Sequence, residues 1–191
     1  MNTNSFLLLA VATAILFITT PSLAQEKPNN GALGADAAVL LPVGDWRGGG
    51  ANVGFGVLAY GDVRIVGDLS LTLRAGYVYH LPRTEFLDDA SYRHVDVLAG
   101  GKYRFGGPYV AAEAGIVWVT LHTEPYTIQS YGGPYDFPGH RATESDLGAT
   151  GGVGYEFGDF DLRAQMLFPA VTKSSEWMAV MATAGYRFLH F

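Results

Sequence analysis

Residues 69–80 read LSLTLRAGYVYH and alternate without a break. In an extended chain Leu69, Leu71, Leu73, Ala75, Tyr77 and Tyr79 share one face, while Ser70, Thr72, Arg74, Gly76, Val78 and His80 share the other. A period of two is the mark of a β-strand with two chemically different sides, and no helical spacing reproduces it. The pattern recurs at 93–105, where Val95, Val97, Ala99, Gly101, Tyr103 and Phe105 oppose His94, Asp96, Leu98, Gly100, Lys102 and Arg104. It recurs again at 160–168, where Phe160, Leu162, Ala164, Met166 and Phe168 oppose Asp161, Arg163, Gln165 and Leu167. Extending the same test along the chain predicts eight strands, near 34–42, 51–66, 68–81, 92–105, 108–122, 144–157, 159–168 and 177–189.

The connections alternate in length. Val66-Gly67-Asp68, Gly106-Gly107 and Gly158-Asp159 are minimal links carrying the glycine that a tight hairpin turn demands. Residues 43–50, 82–91, 123–143 and 169–176 are longer. Short and long links in strict alternation predict an up-and-down antiparallel barrel with tight turns at one rim and long loops at the other.

Ahead of the strands, residues 6–18 (FLLLAVATAILFI) form an apolar run followed by Pro21 and Ser22-Leu23-Ala24. This reads as a secretory signal over 1–24, cleaved after Ala24, and the run is too short for a spanning helix. Residues 25–33 (QEKPNNGAL) read as a flexible leader, leaving 34–191 as the barrel. The composition agrees. Only 16% of residues are charged while 49% are hydrophobic, too little charge for an ordinary soluble surface. Twelve Lys and Arg against 18 Asp and Glu, with no basic run, exclude a nucleic-acid footprint. With no cysteine, disulfides, thiolate metal sites and a thiol nucleophile are excluded too.

Three observations predict that the apolar face points outward. Aromatic residues crowd the ends of that face, namely Tyr77, Tyr79, Tyr103, Phe105, Tyr155, Phe157, Phe160, Phe168, Tyr186 and Phe188, as a bilayer interface selects. Glycines concentrate on the polar face, where a narrow lumen accepts them and a soluble exterior would be weakened. Finally, Arg74 and Arg163 lie mid-strand, and each would cost about 2–4 kcal/mol if turned to lipid. The expected lumen charges are Asp36, Asp62, Asp96, Glu113, Asp146, Glu156 and Asp161 with Arg64, Arg74, Lys102, Arg104, Arg163 and Arg187. Signs nearly cancel, and eight strands leave room for little beyond side chains, so a salt-bridged plug is expected.

These features resemble the small outer-membrane β-barrels of Gram-negative bacteria, the OmpA-type eight-stranded transmembrane barrel and its single-domain relatives. The resemblance rests on GADAAVLLPVGDW at 34–46, LTLRAGYVYHL at 71–81, KYRFGGPYVAAEAGI at 102–116 and AGYRFLHF at 184–191. It implies a monomer in the outer membrane after export, surrounded by lipid and lipopolysaccharide. It also implies a C-terminal strand read by the barrel-assembly machinery. Tyr186 and Phe188 fit such a strand on the lipid face, whereas Phe191 falls on the opposite parity.

Candidate sites are few. Asp36, Arg74, Asp96, Lys102, Arg104, Glu113, Glu156, Asp161, Arg163 and Arg187 are expected to form a lumen network whose role is structural. His80, His94 and Asp96 point inward near the long-loop end, where a histidine and a carboxylate can share a proton. Lipid A-modifying barrels of similar architecture add a serine, but here Ser91 falls in the adjacent loop and Ser145 has the wrong parity. Two histidines without a third donor make no metal site, and no cofactor is implied. Gly48-Gly49-Gly50 precedes no helix and so cradles no phosphate. In the loop at 123–143, Tyr126, Tyr131, Tyr135 and Phe137 among Gly and Pro offer rigid contact surface for an extracellular ligand.

The sequence therefore predicts a non-enzymatic integral outer-membrane protein with an envelope role and loops suited to adhesion. Three other readings stand beside it. A narrow porin-like channel is motivated by space beside the inward glycines, a lipid A-modifying enzyme by the histidine pair, and a soluble lipocalin-like binder by the strand period alone.

Overall fold

The computed structural model describes residues 30–48, 51–82, 91–130, 133–173 and 177–191. The expected signal at 1–24 and the leader up to residue 29 lie outside them. Among the described residues ten strands form: β1 Gly31–Val43, β2 Gly54–Val66, β3 Leu69–His80, β4 Ser91–Arg104, β5 Pro108–Thr123, β6 Tyr126–Ser130, β7 Gly133–Phe137, β8 His140–Phe157, β9 Phe160–Phe168 and β10 Met178–His190. Eight of them close antiparallel in the order β1-β10-β9-β8-β5-β4-β3-β2, so each barrel strand pairs with its chain neighbours and β1 pairs with β10. The remaining two, β6 and β7, pair only with each other.

Alternation places the side chains. Along β3 the residues run exposed, buried, exposed from Leu69 onward, with Ser70, Thr72, Arg74, Gly76, Val78 and His80 inside. At the tight turns Gly67, Gly106 and Gly158 hold φ of 54°, 92° and 57°. No atom would crowd a Cβ at any of the three, so the left-handed backbone itself is what selects glycine there.

Four departures from the sequence reading have local causes. β1 begins at Gly31, inside the stretch read as leader, because Gly31 and Phe191 exchange backbone hydrogen bonds of 2.8 and 3.0 Å. β2 begins at Gly54, since Ala51 donates to the Trp46 carbonyl and the chain first folds across the barrel mouth. The connection after β5 is largely strand: β5 and β8 stay paired up to Thr123 and His140, and β6–β7 forms a ribbon beyond them. In β10 the register against β1 slips by one residue, with Gly34 opposite Arg187 and Leu33 opposite Leu189. Phe188 is thereby an extra, bulged residue. The bulge resets the parity, so that Phe188, Leu189 and Phe191 are all exposed and Phe191 covers Gly31 from outside.

The exterior carries an apolar belt. Val57, Leu71, Leu73, Val97, Ile116, Leu147 and Val153 are among its exposed members. The interior holds ionic side chains from mid-barrel to the tight-turn end. Toward the long connections Leu40, Leu58, Val78, Leu167 and Met181 pack around Trp46, while Leu98, Val117 and Val119 form a second group beside them.

Candidate functional site

The lumen network is built from inward positions of all eight barrel strands. Arg74 on β3 reaches Asp36 on β1 at 2.7 Å, Gln165 on β9 at 3.0 Å and Glu113 on β5 at 3.4 Å. The other oxygen of Glu113 accepts from Arg163 on β9 at 3.0 Å, and Thr150 donates to the carboxylate at 3.2 Å. Nearer the tight turns, Lys102 bonds Asp62 and also Glu156 at 2.7 Å. Arg104 reaches Glu156 at 2.8 Å and Asp62 at 2.9 Å and also bonds Ser70, while Arg187 lies 3.2 Å from Glu156. Five carboxylates (Asp36, Asp62, Glu113, Glu156, Asp161) thus stand among five cations (Arg74, Lys102, Arg104, Arg163, Arg187).

Tyr109 joins the two levels. It is buried, its hydroxyl donates to Asp161 and accepts from Arg163 Nε at 2.9 Å, and Lys102 and Arg163 each lie 5.3 Å from its ring centre. The sequence places Gln165 on the inward face without assigning it a role, and it singles out neither Tyr109 nor Thr150. A signal existed for Tyr109, because its parity is inward and its pairing partner Gly154 is inward too.

The inward glycines leave no open space. A Cβ at Gly154 would lie 2.2 Å from the Tyr109 ring, one at Gly185 1.9 Å from Asp36 Oδ1, and one at Gly76 2.7 Å from Asp96 Oδ1. At Gly100 and Gly115 the obstacle is the neighbouring strand's carbonyl, at 2.0 Å in each case. Each glycine is therefore a seat for a neighbour, and the space read as room for solutes is filled.

His80, His94 and Asp96 do come together at the mouth. His80 Nδ1 lies 2.9 Å from the Asn52 carbonyl, which can only accept, so the neutral ring donates there and turns Nε2 toward His94 Nδ1 at 3.3 Å. His94 Nε2 then faces Asp96 Oδ2 at 3.6 Å, too long for a good hydrogen bond. Both histidines and Asp96 are fully buried, and Asp96 takes no hydrogen bond from the described residues. Asp96 thus stands apart from the cationic network to which it was assigned. Trp46, from the short helical turn α1 (Asp45–Gly48), covers both imidazoles at ring distances of 5.2 and 6.4 Å and stacks on Trp177 at 6.0 Å. Among the described residues no serine joins the group: Ser91 opens β4 opposite His122, and Ser145 is exposed opposite Trp118. Among the described residues no group of three or more His, Asp or Glu could hold a metal ion.

Two further expected lumen charges lie elsewhere. Arg64 is exposed at the tight-turn rim, beside an irregularity that leaves Ile65 unpaired. Asp146 is half-buried in a small recess at the mouth, together with Glu144 and Lys173.

Outside, the tight-turn rim carries a near-continuous aromatic chain. Phe157 stacks on Phe160 at 5.6 Å, Phe160 meets Tyr186 at 5.3 Å, and Tyr103 meets Phe105 at 4.9 Å. An apolar belt bordered by such rings is the surface of a barrel immersed in lipid.

In sequence, no family model and no curated protein matches the chain. In structure it is similar to Ail, the attachment invasion locus protein of Yersinia pestis, with a TM-score of 0.59 and 13% identity over 85% of this chain and 100% of that one. Ail in complex with the heparin analogue sucrose octasulfate gives a TM-score of 0.52 at 14% identity, over 83% and 96% of the two chains. The N-terminal β-barrel domain of Pseudomonas aeruginosa OprF gives 0.50 at 16% identity, over 84% and 98%. The fold is that of the small outer-membrane β-barrels. Barrels of this fold and exterior reside in the outer membrane.

The loop aromatics of this barrel are only partly described. Tyr126 and Phe137 pair at the base of the β6–β7 ribbon, Tyr135 is 64% exposed, and Tyr131 lies outside the described residues.

Proposed function

We propose that the barrel is a closed, non-conducting component of the outer membrane with a structural role in the envelope, and that it is not an enzyme. The observation that carries this reading is the filled lumen. Five ion-paired cations, Tyr109 and the apolar groups around Trp46 occupy it from the tight turns to the mouth. A solute would have to break a buried ionic network, and removing a partner from such a pair costs about 3–5 kcal/mol. Among the described residues the histidine pair has no nucleophile within reach, and Trp46 covers it from the mouth. The barrel is taken to work as a monomer, inserted by the barrel-assembly machinery with its long connections facing outward.

Outer-membrane fractionation followed by planar-bilayer recording tests this. The expected result is recovery in the outer membrane and no single-channel steps at any applied voltage. Reproducible steps would establish the channel reading in its place.

A second reading concerns contact with an extracellular ligand. The β6–β7 ribbon supports it, because it extends past the paired ends of β5 and β8 and bears the exposed Tyr135. Excision of the ribbon should abolish any host-cell or glycan binding while leaving the barrel folded. Binding that survives the excision would remove the ribbon from consideration.

A further inference from the structure

The pairing register assembles a polar row on the outer wall that the lumen does not use. Tyr79 on β3 pairs with Arg93 on β4, Arg93 with Thr120 on β5, and Thr120 with Thr143 on β8. All four point outward, on the parity of the apolar belt. Toward the tight turns the next outward rows are Val95, Trp118 and Ser145, then Val97, Ile116 and Leu147, the last three 42%, 48% and 57% exposed. Toward the loops the next row holds His122 opposite Arg141. Along these three strands the wall thus passes from hydrocarbon-like, through an indole and a hydroxyl, to guanidinium groups and hydroxyls.

Among the described residues the two arginines have no acidic partner. Arg93 lies over the Tyr79 ring at 5.7 Å, and neither it nor Arg141 forms an ion pair among the described residues. The nearby carboxylate of Glu124 is engaged by His122 at 3.3 Å. Thr120 and Thr143 hydroxyls sit 2.9 Å apart, leaving further donor and acceptor capacity directed outward. The feature is also one-sided. Outward positions at the same end of β1, β2, β9 and β10, such as Val39, Leu41, Phe55, Val57, Phe168 and Val180, are uncharged.

An unpaired guanidinium at the edge of a hydrocarbon belt needs an anion at headgroup depth, and guanidinium matches phosphate in a bidentate fork. We propose that the outer face of β4, β5 and β8 is a binding site for the phosphate-bearing headgroup of a membrane lipid. Arg93 and Arg141 grip the phosphate, Thr120 and Thr143 donate to it, and the acyl chains lie along Val97, Ile116 and Leu147. The inference rests on the reading that this end of the barrel meets a lipid leaflet.

Trp118, one row below Arg93, is a built-in reporter. The full mature protein is refolded into phosphatidylcholine vesicles containing a minor fraction of either brominated phosphatidylcholine or brominated phosphatidic acid. Trp118→Phe supplies the background from the other tryptophans, and heat-modifiable gel mobility verifies folding of each variant. The expected result is stronger quenching by phosphatidic acid, a preference that falls about fivefold with each of Arg93→Gln and Arg141→Gln and survives in Arg93→Lys. Equal quenching by the two lipids, unchanged by the arginine variants, would overturn the site while leaving the barrel in lipid. Loss of the preference on adding inorganic phosphate would reassign the site to a soluble ligand and overturn the lipid assignment. Absence of quenching by either lipid would overturn the membrane reading itself.

Discussion

Glu113 is the residue on which the lumen network turns, because its two oxygens face two guanidinium groups on different strands. Replacing Glu113 by Gln leaves Arg74 with Asp36 and deprives Arg163 of its closest carboxylate. Unfolding by urea in detergent micelles should show a loss of about 3–5 kcal/mol, partly restored when Arg163→Met is added. A loss below about 1 kcal/mol would mean that the pairs contribute little beyond filling space. The glycines give a second, geometric contrast. Gly154→Ala drives a methyl into the Tyr109 ring and should cost about 1–3 kcal/mol, whereas Gly151→Ala faces outward with nothing within 4 Å and should change stability by less than about 0.5 kcal/mol. Thermal scans of the two variants side by side decide it. At this scale parity made Arg74, Glu113 and Arg163 legible, because the cost of a charge in lipid fixes the inward side. It did not reveal that Asp96, buried near His94, has no hydrogen-bond partner among the described residues. Parity assigns a side of the wall and carries no information about height in the lumen relative to other strands.

At the scale of elements, the connection between β1 and β2 does more than link them. Its short helical turn drops Trp46, 2% exposed, into the mouth between the imidazoles and Trp177. Trp46→Ala should cost about 3–5 kcal/mol and open His80 and His94 to diethyl pyrocarbonate, with the exposed His140 as a positive control in the same digest. Unchanged protection of His80 would show that the strands alone close the mouth. The eight barrel strands were legible to within a few residues because each buries one face, which enforces the alternation. The β6–β7 ribbon was not, since a two-stranded ribbon beyond the barrel rim has no core to impose a pattern on its residues. The bulge at Phe188 showed only through its consequence, the opposite parity of Phe191. One extra residue between inward Arg187 and outward Leu189 leaves no turn residue or composition change to locate it.

At the scale of the molecule, the sheet is a ring while the chain is a line. Gly31 and Phe191 are joined by two backbone hydrogen bonds, so the residues that open and close the sheet are each other's partners. Until the final strand docks, β1 and the growing end each present a row of unpaired N–H and C=O groups, and in hydrocarbon those have no water to turn to. Closure is then the last cooperative event, and loss of a few residues from β10 should trap an open-edged, aggregation-prone sheet where loss of a whole loop would not. The same adjacency makes the position of the ends arbitrary. A circular permutant that joins Phe191 to Gly31 by a short linker and begins within the β6–β7 ribbon should refold to the same heat-modifiable barrel. Failure of that permutant would show that the order in which strands emerge, and not only their pairing, is written into the fold. Where the chain starts would then be a kinetic instruction, telling the sheet which edge to guard while it waits for the other.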